Sequence, residues 1–374
     1  MTSNPGAARP KLLTVIGARP QFVKAAVVSH AIAKDARLEE VLVHTGQHYD
    51  DNMSGIFFEE LQIPAAQFNL GIGSGSHARQ TGEIMIALEE VCINAQPDMM
   101  LVYGDTNSTL AAALVSAKLH IPLAHVEAGL RSFNRTMPEE INRMVTDRVS
   151  DVLFAPTDTA VANLLQEGFA RDSIVRTGDV MFDAALKFTE IAKTRSTILK
   201  QLDLQGKSYA LATVHRASNV DDEAALRNIA GALAALSQKM PVVLPLHPRT
   251  RGRWTFETPK NLTIIDPVGI FDMYRLESAA QLIVTDSGGV QKEAFFHRVP
   301  CVTLRTDTEW MELVEGGFNR LAPPTAITSI LEACEAALAS KPDFSAAGHL
   351  YGDGDAAGFV ARYLADWISG LKEK

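Results

Sequence analysis

The chain has 374 residues, 47% of them hydrophobic and 21% charged, which is more than one hydrophobic core usually organises and far from the composition of a disordered chain. Its formal net charge of −9 argues against duplex nucleic acid as a partner, since a phosphate backbone calls for a basic face. Cys92, Cys301 and Cys334 are far apart and form no C-x-x-C pair, so they read as reduced core residues, with neither a disulfide framework nor a zinc site suggested.

Residues 1–10 are polar, contain Pro and Gly, and read as a disordered tail without the apolar core of a secretory signal. No later stretch approaches the roughly 20 apolar residues that span a bilayer, so no membrane partner is expected and the cytoplasm is the default address. Apolar, β-rich runs then recur at Leu12–Ile16, Val41–His44, Met99–Tyr103, Pro122–Val126 and Val152–Ala155. Segments of helical period lie between them, among them Gln21–Lys34, Arg79–Asn94, Ser108–Leu119 and Pro138–Val149. The pattern restarts with strands at Tyr209–Thr213, Val242–Leu246, Leu262–Ile265, Leu282–Thr285 and Cys301–Leu304, and with helices at Glu223–Lys239 and Val290–Phe296.

Such alternation predicts an α/β protein of two Rossmann-like, doubly wound domains with a cleft between them, ligands sitting beyond the carboxyl ends of parallel strands. The domains are placed at 11–180 and 181–354. Residues 355–374 form a final amphipathic helix returning to the first domain.

The first strand ends in Gly17-Ala18-Arg19-Pro20, followed by a helix containing Lys24. Cations beside a helix N-terminus favour an anion, although a tight turn with a solvated Arg19 reads as well. G-x-G-x-x-G spacing is missing, so a nicotinamide dinucleotide does not explain the fold pattern. In His44-Thr45-Gly46-Gln47-His48-Tyr49-Asp50 the histidine spacing would suit a metal only on a helix, and Gly46 in a loop after a strand speaks for a polar loop at the cleft mouth.

Two central strands deliver a carboxylate each, Asp105 in Gly104-Asp105-Thr106 and Glu127 in His125-Val126-Glu127-Ala128-Gly129-Leu130-Arg131. Carboxyl ends of strands are where an open α/β sheet presents reactive groups. Glu139 follows in Met137-Pro138-Glu139-Glu140-Ile141-Asn142-Arg143. Asp105 reads alternatively as an N-cap, and Glu139 with Glu140 as first-turn charges behind Pro138.

In the second half, His215-Arg216 and His247-Pro248-Arg249 follow strands, suiting either a diphosphate or a structural hydrogen bond. Thr285-Asp286-Ser287-Gly288-Gly289-Val290-Gln291-Lys292-Glu293 is a sharper signal. There a strand turns through two glycines into a helix, so backbone N–H groups and the Ser287 hydroxyl can approach phosphate, with Glu293 placed to accept from ribose hydroxyls. A plain strand-to-helix connection is the competing reading.

Taken in order, Gly17-Ala18-Arg19-Pro20, Asp105-Thr106, His125 to Arg131, Pro138-Glu139-Glu140, His215-Arg216, Ser287-Gly288-Gly289 and Thr308-Glu309 resemble the non-hydrolysing UDP-N-acetylglucosamine 2-epimerase family over almost the whole chain. The resemblance implies a glycosyltransferase-B-like domain pair, a homodimer, and interconversion of UDP-N-acetylglucosamine and UDP-N-acetylmannosamine through a glycal, for surface polysaccharide precursors. By matching position, Asp105, Glu127, Glu139 and His215 are the catalytic candidates. Arg19, Lys24, His215, Ser287, Gly288, Gly289, Glu293 and Arg305 are those for UDP and substrate; no metal and no cofactor is implied.

The C2 proton becomes removable as the C1–O bond to UDP breaks, a step that carboxylates assist while cations and N–H groups receive departing UDP. Trp310 stands after Thr308-Glu309 where relatives that act on N-acetylglucosamine carry Arg. It resembles the version in enzymes that epimerise UDP-2,3-diacetamido-2,3-dideoxyglucuronate, unless the ring is merely packed. A glycosyltransferase and a silent UDP-sugar sensor on the same fold are the rival readings.

Overall fold

A computed structural model describes residues 9–47, 58, 60–340, 342–345, 347 and 349–372, without the side chains of Arg19 and Lys372. Most of the tail expected at 1–10 therefore lies outside the described residues. The chain divides into two compact units, one of residues 1–184 and 349–374, the other of residues 185–348.

The first unit holds a parallel sheet of β1 (Lys11–Ile16), β2 (Glu39–His44), β3 (Phe68–Asn69), β4 (Met99–Tyr103), β5 (Leu123–Val126), β6 (Val152–Ala155) and β7 (Ile174–Arg176), in the order β3-β2-β1-β4-β5-β6-β7. β4, β5 and β6 are buried along their whole length. Helices on both faces shield them from water, which is why they read as continuous apolar runs rather than alternating ones. The C-terminal helix Ala356–Lys372 packs on the helix Arg19–Asp35. Its N-terminal Ala357 N–H donates to Asp183 at 2.7 Å, and Tyr363 meets Phe154 edge to face at 5.5 Å.

In the second unit β8 (Ala210–Thr213), β9 (Val242–Pro245), β10 (Leu262–Ile265), β11 (Leu282–Thr285), β12 (Cys301–Thr303) and β13 (Asn319–Leu321) form a parallel sheet in the order β10-β9-β8-β11-β12-β13. Leu226, Ile229 and Leu233, on one face of the helix Glu223–Leu236, join Val242, Leu244, Val284 and Val302 in the core on one side of this sheet. Two doubly wound α/β sheets are the expected fold class. The strand reading erred at the rims: β3, β7 and β13 are two- or three-residue strands without an apolar run of their own. All three cysteines are buried.

Strand order reverses between β1 and β4 in the first sheet and between β8 and β11 in the second. At such a point the two neighbouring connections leave toward opposite faces and open a crevice at the carboxyl ends. Gly17-Ala18-Arg19 and Gly104-Asp105 flank the first switch point; Val214-His215 and Asp286-Ser287 flank the second.

Candidate active site

At the first switch point Gly17 is obligatory, because a Cβ there would lie 2.1 Å from Thr45 Oγ1 and 2.3 Å from Ser108 Oγ. The adjoining helix N-terminus is less open to an anion than its sequence suggests. Gln21 Oε1 accepts the N–H groups of Gly17 at 2.8 Å and Ala18 at 3.0 Å, Pro20 has no N–H, and Gln21 donates its own to Ala18 O. Arg19 begins this helix. Lys24, expected on the diphosphate side, is buried with its ammonium on the Glu127 carboxylate.

Glu127 sits just past β5 with φ at 75°, a left-handed conformation that costs a non-glycine residue about 1–3 kcal/mol. Its N–H and that of Ala128 both donate to Phe154 O, at 3.1 and 3.0 Å, which pins the turn. Gly104, with φ at 63°, lies alongside: a Cβ there would come within 3.2 Å of the Glu127 carboxylate and 3.3 Å of Lys24 Nζ. Strand end, glycine and ion pair thus aim one carboxylate at the residue before Asp105.

Asp105 pairs with Arg143 Nη1. It is not the N-cap of the following helix; Thr106 is, its hydroxyl accepting from Thr109 N at 3.3 Å. Although 34% of the Asp105 side chain is exposed, protein crowds the site. This burial, opposed by Arg143 and reinforced by the charge of Glu127, raises the Asp105 pKa above the ordinary carboxylate value. Such a carboxyl exchanges protons more readily near neutrality.

Glu139 is exposed in the first turn of the helix Pro138–Val149, close enough for its charge to add to the Asp105 shift. Its neighbour Glu140 turns inward and takes hydrogen bonds from Ser132 N at 3.0 Å, Phe133 N at 3.0 Å and Arg143 Nη2 at 2.8 Å. Burial opposes ionisation there, but these donors outweigh it and hold Glu140 below its usual range. Glu140 therefore anchors Arg143, and Arg143 anchors Asp105. Of the His44 to Asp50 loop, His44 is buried against Phe22 at 5.3 Å between ring centroids, and Gln47 accepts from Ser108 N at 3.0 Å. His48, Tyr49 and Asp50 lie outside the described residues.

At the second switch point the organising group is Asp286, fully buried, which accepts from the N–H of His215 at 3.1 Å, of Arg216 at 3.0 Å and from Asn219 Nδ2 at 3.1 Å. The His215 ring, its side chain 42% exposed, stands with Nδ1 3.4 Å from this carboxylate. His247 is a structural cap whose Nδ1 accepts from Arg249 N at 3.2 Å. Ser287 N-caps the helix Gly288–Phe296, accepting from Val290 N at 3.4 Å. That cap uses an oxygen lone pair and leaves the hydroxyl hydrogen to donate to an anion.

The two glycines of this turn have different reasons. A Cβ on Gly288 would lie 2.5 Å from Glu309 Oε1, whereas one on Gly289 would meet nothing nearer than Ser287 Oγ at 3.9 Å. Only Gly289 keeps an open approach. Trp310, 4% exposed, is more than packing: its Nε1–H donates to Gly288 O at 3.0 Å, and Lys292 Nζ stands 4.2 Å over its ring centroid. Arg305 is buried and paired with Asp307 at 3.1 Å and Glu309 at 2.9 Å, so it supports the Thr308-Glu309-Trp310 loop. Glu293 faces Glu277, and burial together with that second carboxyl raises its pKa well above the usual value.

The family model for UDP-N-acetylglucosamine 2-epimerase matches residues 30–365. The chain belongs to this family. It is 50% identical to the UDP-2,3-diacetamido-2,3-dideoxy-D-glucuronate 2-epimerase of Pseudomonas aeruginosa, over 95% of this chain and 99% of that protein. A UDP-N-acetylglucosamine 2-epimerase homolog of Methanococcus maripaludis is 52% identical over 83% of this chain and 88% of its own length. Among solved structures, the UDP-GlcNAc 2-epimerase of Methanocaldococcus jannaschii in complex with UDP-GlcNAc and UDP superposes with a TM-score of 0.87 at 41% identity, covering 95% of this chain and 99% of that one.

Four residues that organise this UDP-sugar 2-epimerase were not among the sequence candidates: Arg143, Asp286, Lys292 and Glu277. Arg143 had a legible signal in its helical spacing from Glu140, which puts the two on one face. Asp286 had one in being a carboxylate at the end of a central strand, as Asp105 is. Lys292 and Glu277 had none, because each acquires its partner from a different element.

Proposed function

We propose that the enzyme inverts C2 of a UDP-linked 2-acetamido sugar by eliminating UDP and adding it back. A carboxylate takes the C2 proton, its C–H electrons form the C1–C2 double bond, and the C1–O bond breaks to release UDP. In return, UDP oxygen attacks C1 of the glycal while a proton reaches C2 from the other face. The observation that carries this reading is the gathering of Asp105 and Glu127 at neighbouring strand ends, one with a raised pKa and the other held by Lys24. They provide two proton-transfer groups in different electrostatic surroundings, with Glu139 exposed beside Asp105. The Ser287 turn, with open Gly289, and the exposed His215 ring supply donors for the diphosphate, while Lys24 serves the carboxylate side as the counter-ion of Glu127.

Of the two substrates, UDP-2,3-diacetamido-2,3-dideoxyglucuronate is favoured by the 50% identity to an enzyme of that name and by Trp310 at the nucleotide turn. UDP-N-acetylglucosamine is the second reading, favoured by the likeness to the UDP-GlcNAc-bound structure. Proton NMR in deuterated water with each sugar, and no acceptor, tests both. Deuterium entering C2 with inversion is expected. Transfer that requires an acceptor would establish a glycosyltransferase, and binding without exchange a sensor. Glu127→Gln removes the proton-transfer group and also leaves Lys24 without its counter-ion, so turnover is expected to fall about 100-fold or more in a less stable protein that still binds UDP.

The three buried, unpaired cysteines suit the cytoplasm. A homodimer is the proposed assembly. Ile86 and Ile93, 67% and 56% exposed and seven residues apart on the helix His77–Ala95, are apolar surface that a second copy would cover. Sedimentation equilibrium checks it.

A further inference from the structure

Behind Glu127 runs a series of paired charges that begins in the core at His125 and Asp147 and ends at the partly exposed Glu167. His125 and Asp147 are both fully buried, with His125 Nδ1 2.7 Å from Asp147 Oδ1 and Nε2 2.8 Å from the Gly104 carbonyl oxygen. A carbonyl oxygen only accepts, so Nε2 carries a hydrogen. Asp147 takes further donation on Oδ2 from the Gly129 N–H at 3.1 Å and from Arg131 Nη1 at 2.7 Å. It is therefore an ionised acceptor on all sides, and Nδ1 carries a hydrogen too. Burial opposes ionisation of Asp147, but His125 and Arg131 outweigh it and hold its pKa below the ordinary value.

Arg131 continues to Glu167 through two bonds, Nε at 2.7 Å and Nη2 at 2.8 Å. The series His125, Asp147, Arg131, Glu167 then alternates cation and anion. With hydrogens on both nitrogens of His125, each charge in the series faces an opposite one, Glu167 standing at the outer end with 30% of its side chain exposed.

We propose that the His125–Asp147 pair is a positioning device that fixes the spacing of Asp105 and Glu127. Through Nε2–H, His125 holds the carbonyl of the Gly104–Asp105 peptide. Asp147 holds the chain on both sides of Glu127, by the His125 ring two residues before it and the Gly129 N–H two residues after it. One buried carboxylate thereby fixes the strained turn of Glu127 and, through the imidazolium, the approach of Asp105. Neither ring nitrogen retains a lone pair, so His125 positions and does not relay protons. This role rests on the reading of Asp105 and Glu127 as proton-transfer groups.

The pair is tested in the full-length enzyme by nitrogen-15 spectra of selectively labelled histidine near neutral pH, and by kinetics of His125→Gln and Asp147→Asn. The spectra are expected to show both His125 ring nitrogens protonated; a neutral tautomer overturns the proposal without any variant having to fold. In the variants kcat is expected to fall about 30-fold or more, while KM and the Kd for UDP stay within about threefold, since small misplacement of reacting groups is costly in rate. Unchanged kcat in both, or kcat and UDP affinity falling together, overturns it as well. Absence of C2 exchange in the wild type would instead refute the epimerase reading, leaving the ring-nitrogen spectrum to judge the pair by itself.

Discussion

The Lys24 ammonium and the Glu127 carboxylate, 103 residues apart in sequence, form an ion pair whose side chains are each only 9% exposed. Removing one partner leaves a buried charge without its counter-ion, which costs about 3–5 kcal/mol, whereas removing both leaves none. Lys24→Met is therefore expected to be strongly destabilised in urea denaturation, and Lys24→Met/Glu127→Gln to recover a large part of the loss. Additive effects of the two substitutions would show that the pair is not coupled.

Gly288 and Gly289 are adjacent and predicted to respond oppositely. Gly288→Ala drives a Cβ into the Glu309 carboxylate, 2.5 Å away, so thermal stability falls. Gly289→Ala meets only open space within a helix, where Ala is favoured over Gly by about 1 kcal/mol. It is expected to fold as well as the wild type or better, yet bind UDP more weakly in isothermal titration. Equal UDP affinity in Gly289→Ala would remove the turn from the nucleotide site.

Trp310→Phe keeps a ring for Lys292 and deletes the donor to Gly288 O. A neutral hydrogen bond contributes about 0.5–1.5 kcal/mol, so UDP affinity should drop about threefold to tenfold with kcat little altered. Trp310→Arg places a second cation beside the buried Lys292, and a larger fall in stability is expected, read by calorimetry.

Glu277 and Glu293 are both pushed up to about 8, chiefly by burial, from an ordinary 4.5. His297, 3.3 Å from Glu277 and lowered by burial to about 4, supplies no compensating cation at neutral pH. Between about pH 4.5 and about pH 8 the native state then binds more protons than the unfolded one, so these groups stabilise the fold at low pH and their contribution is lost as pH rises. Glu277→Gln removes one of the two carboxyls. Its melting temperature is expected to fall less than that of the wild type across this window; parallel curves would show that the pair does not hold the extra proton.

The sequence by itself determined the fold class and which residues stand at the carboxyl ends of the strands. Strands buried on both faces are apolar along their whole length, as in Met99–Tyr103 and Leu282–Thr285, and the residues that follow a central strand reach the carboxyl edge of the sheet wherever the helices lie. Asp105, Glu127, His215 and Ser287 were legible on that ground. Rim strands such as Ile174–Arg176 were not, having too little apolar pattern. Only the tertiary structure decided which charges meet: Lys24 with Glu127, Arg143 with Asp105, Trp310 with Gly288, Glu277 with Glu293. Local periodicity records burial, not partners, and a carboxylate's proton affinity depends on the partner that distant segments bring to it.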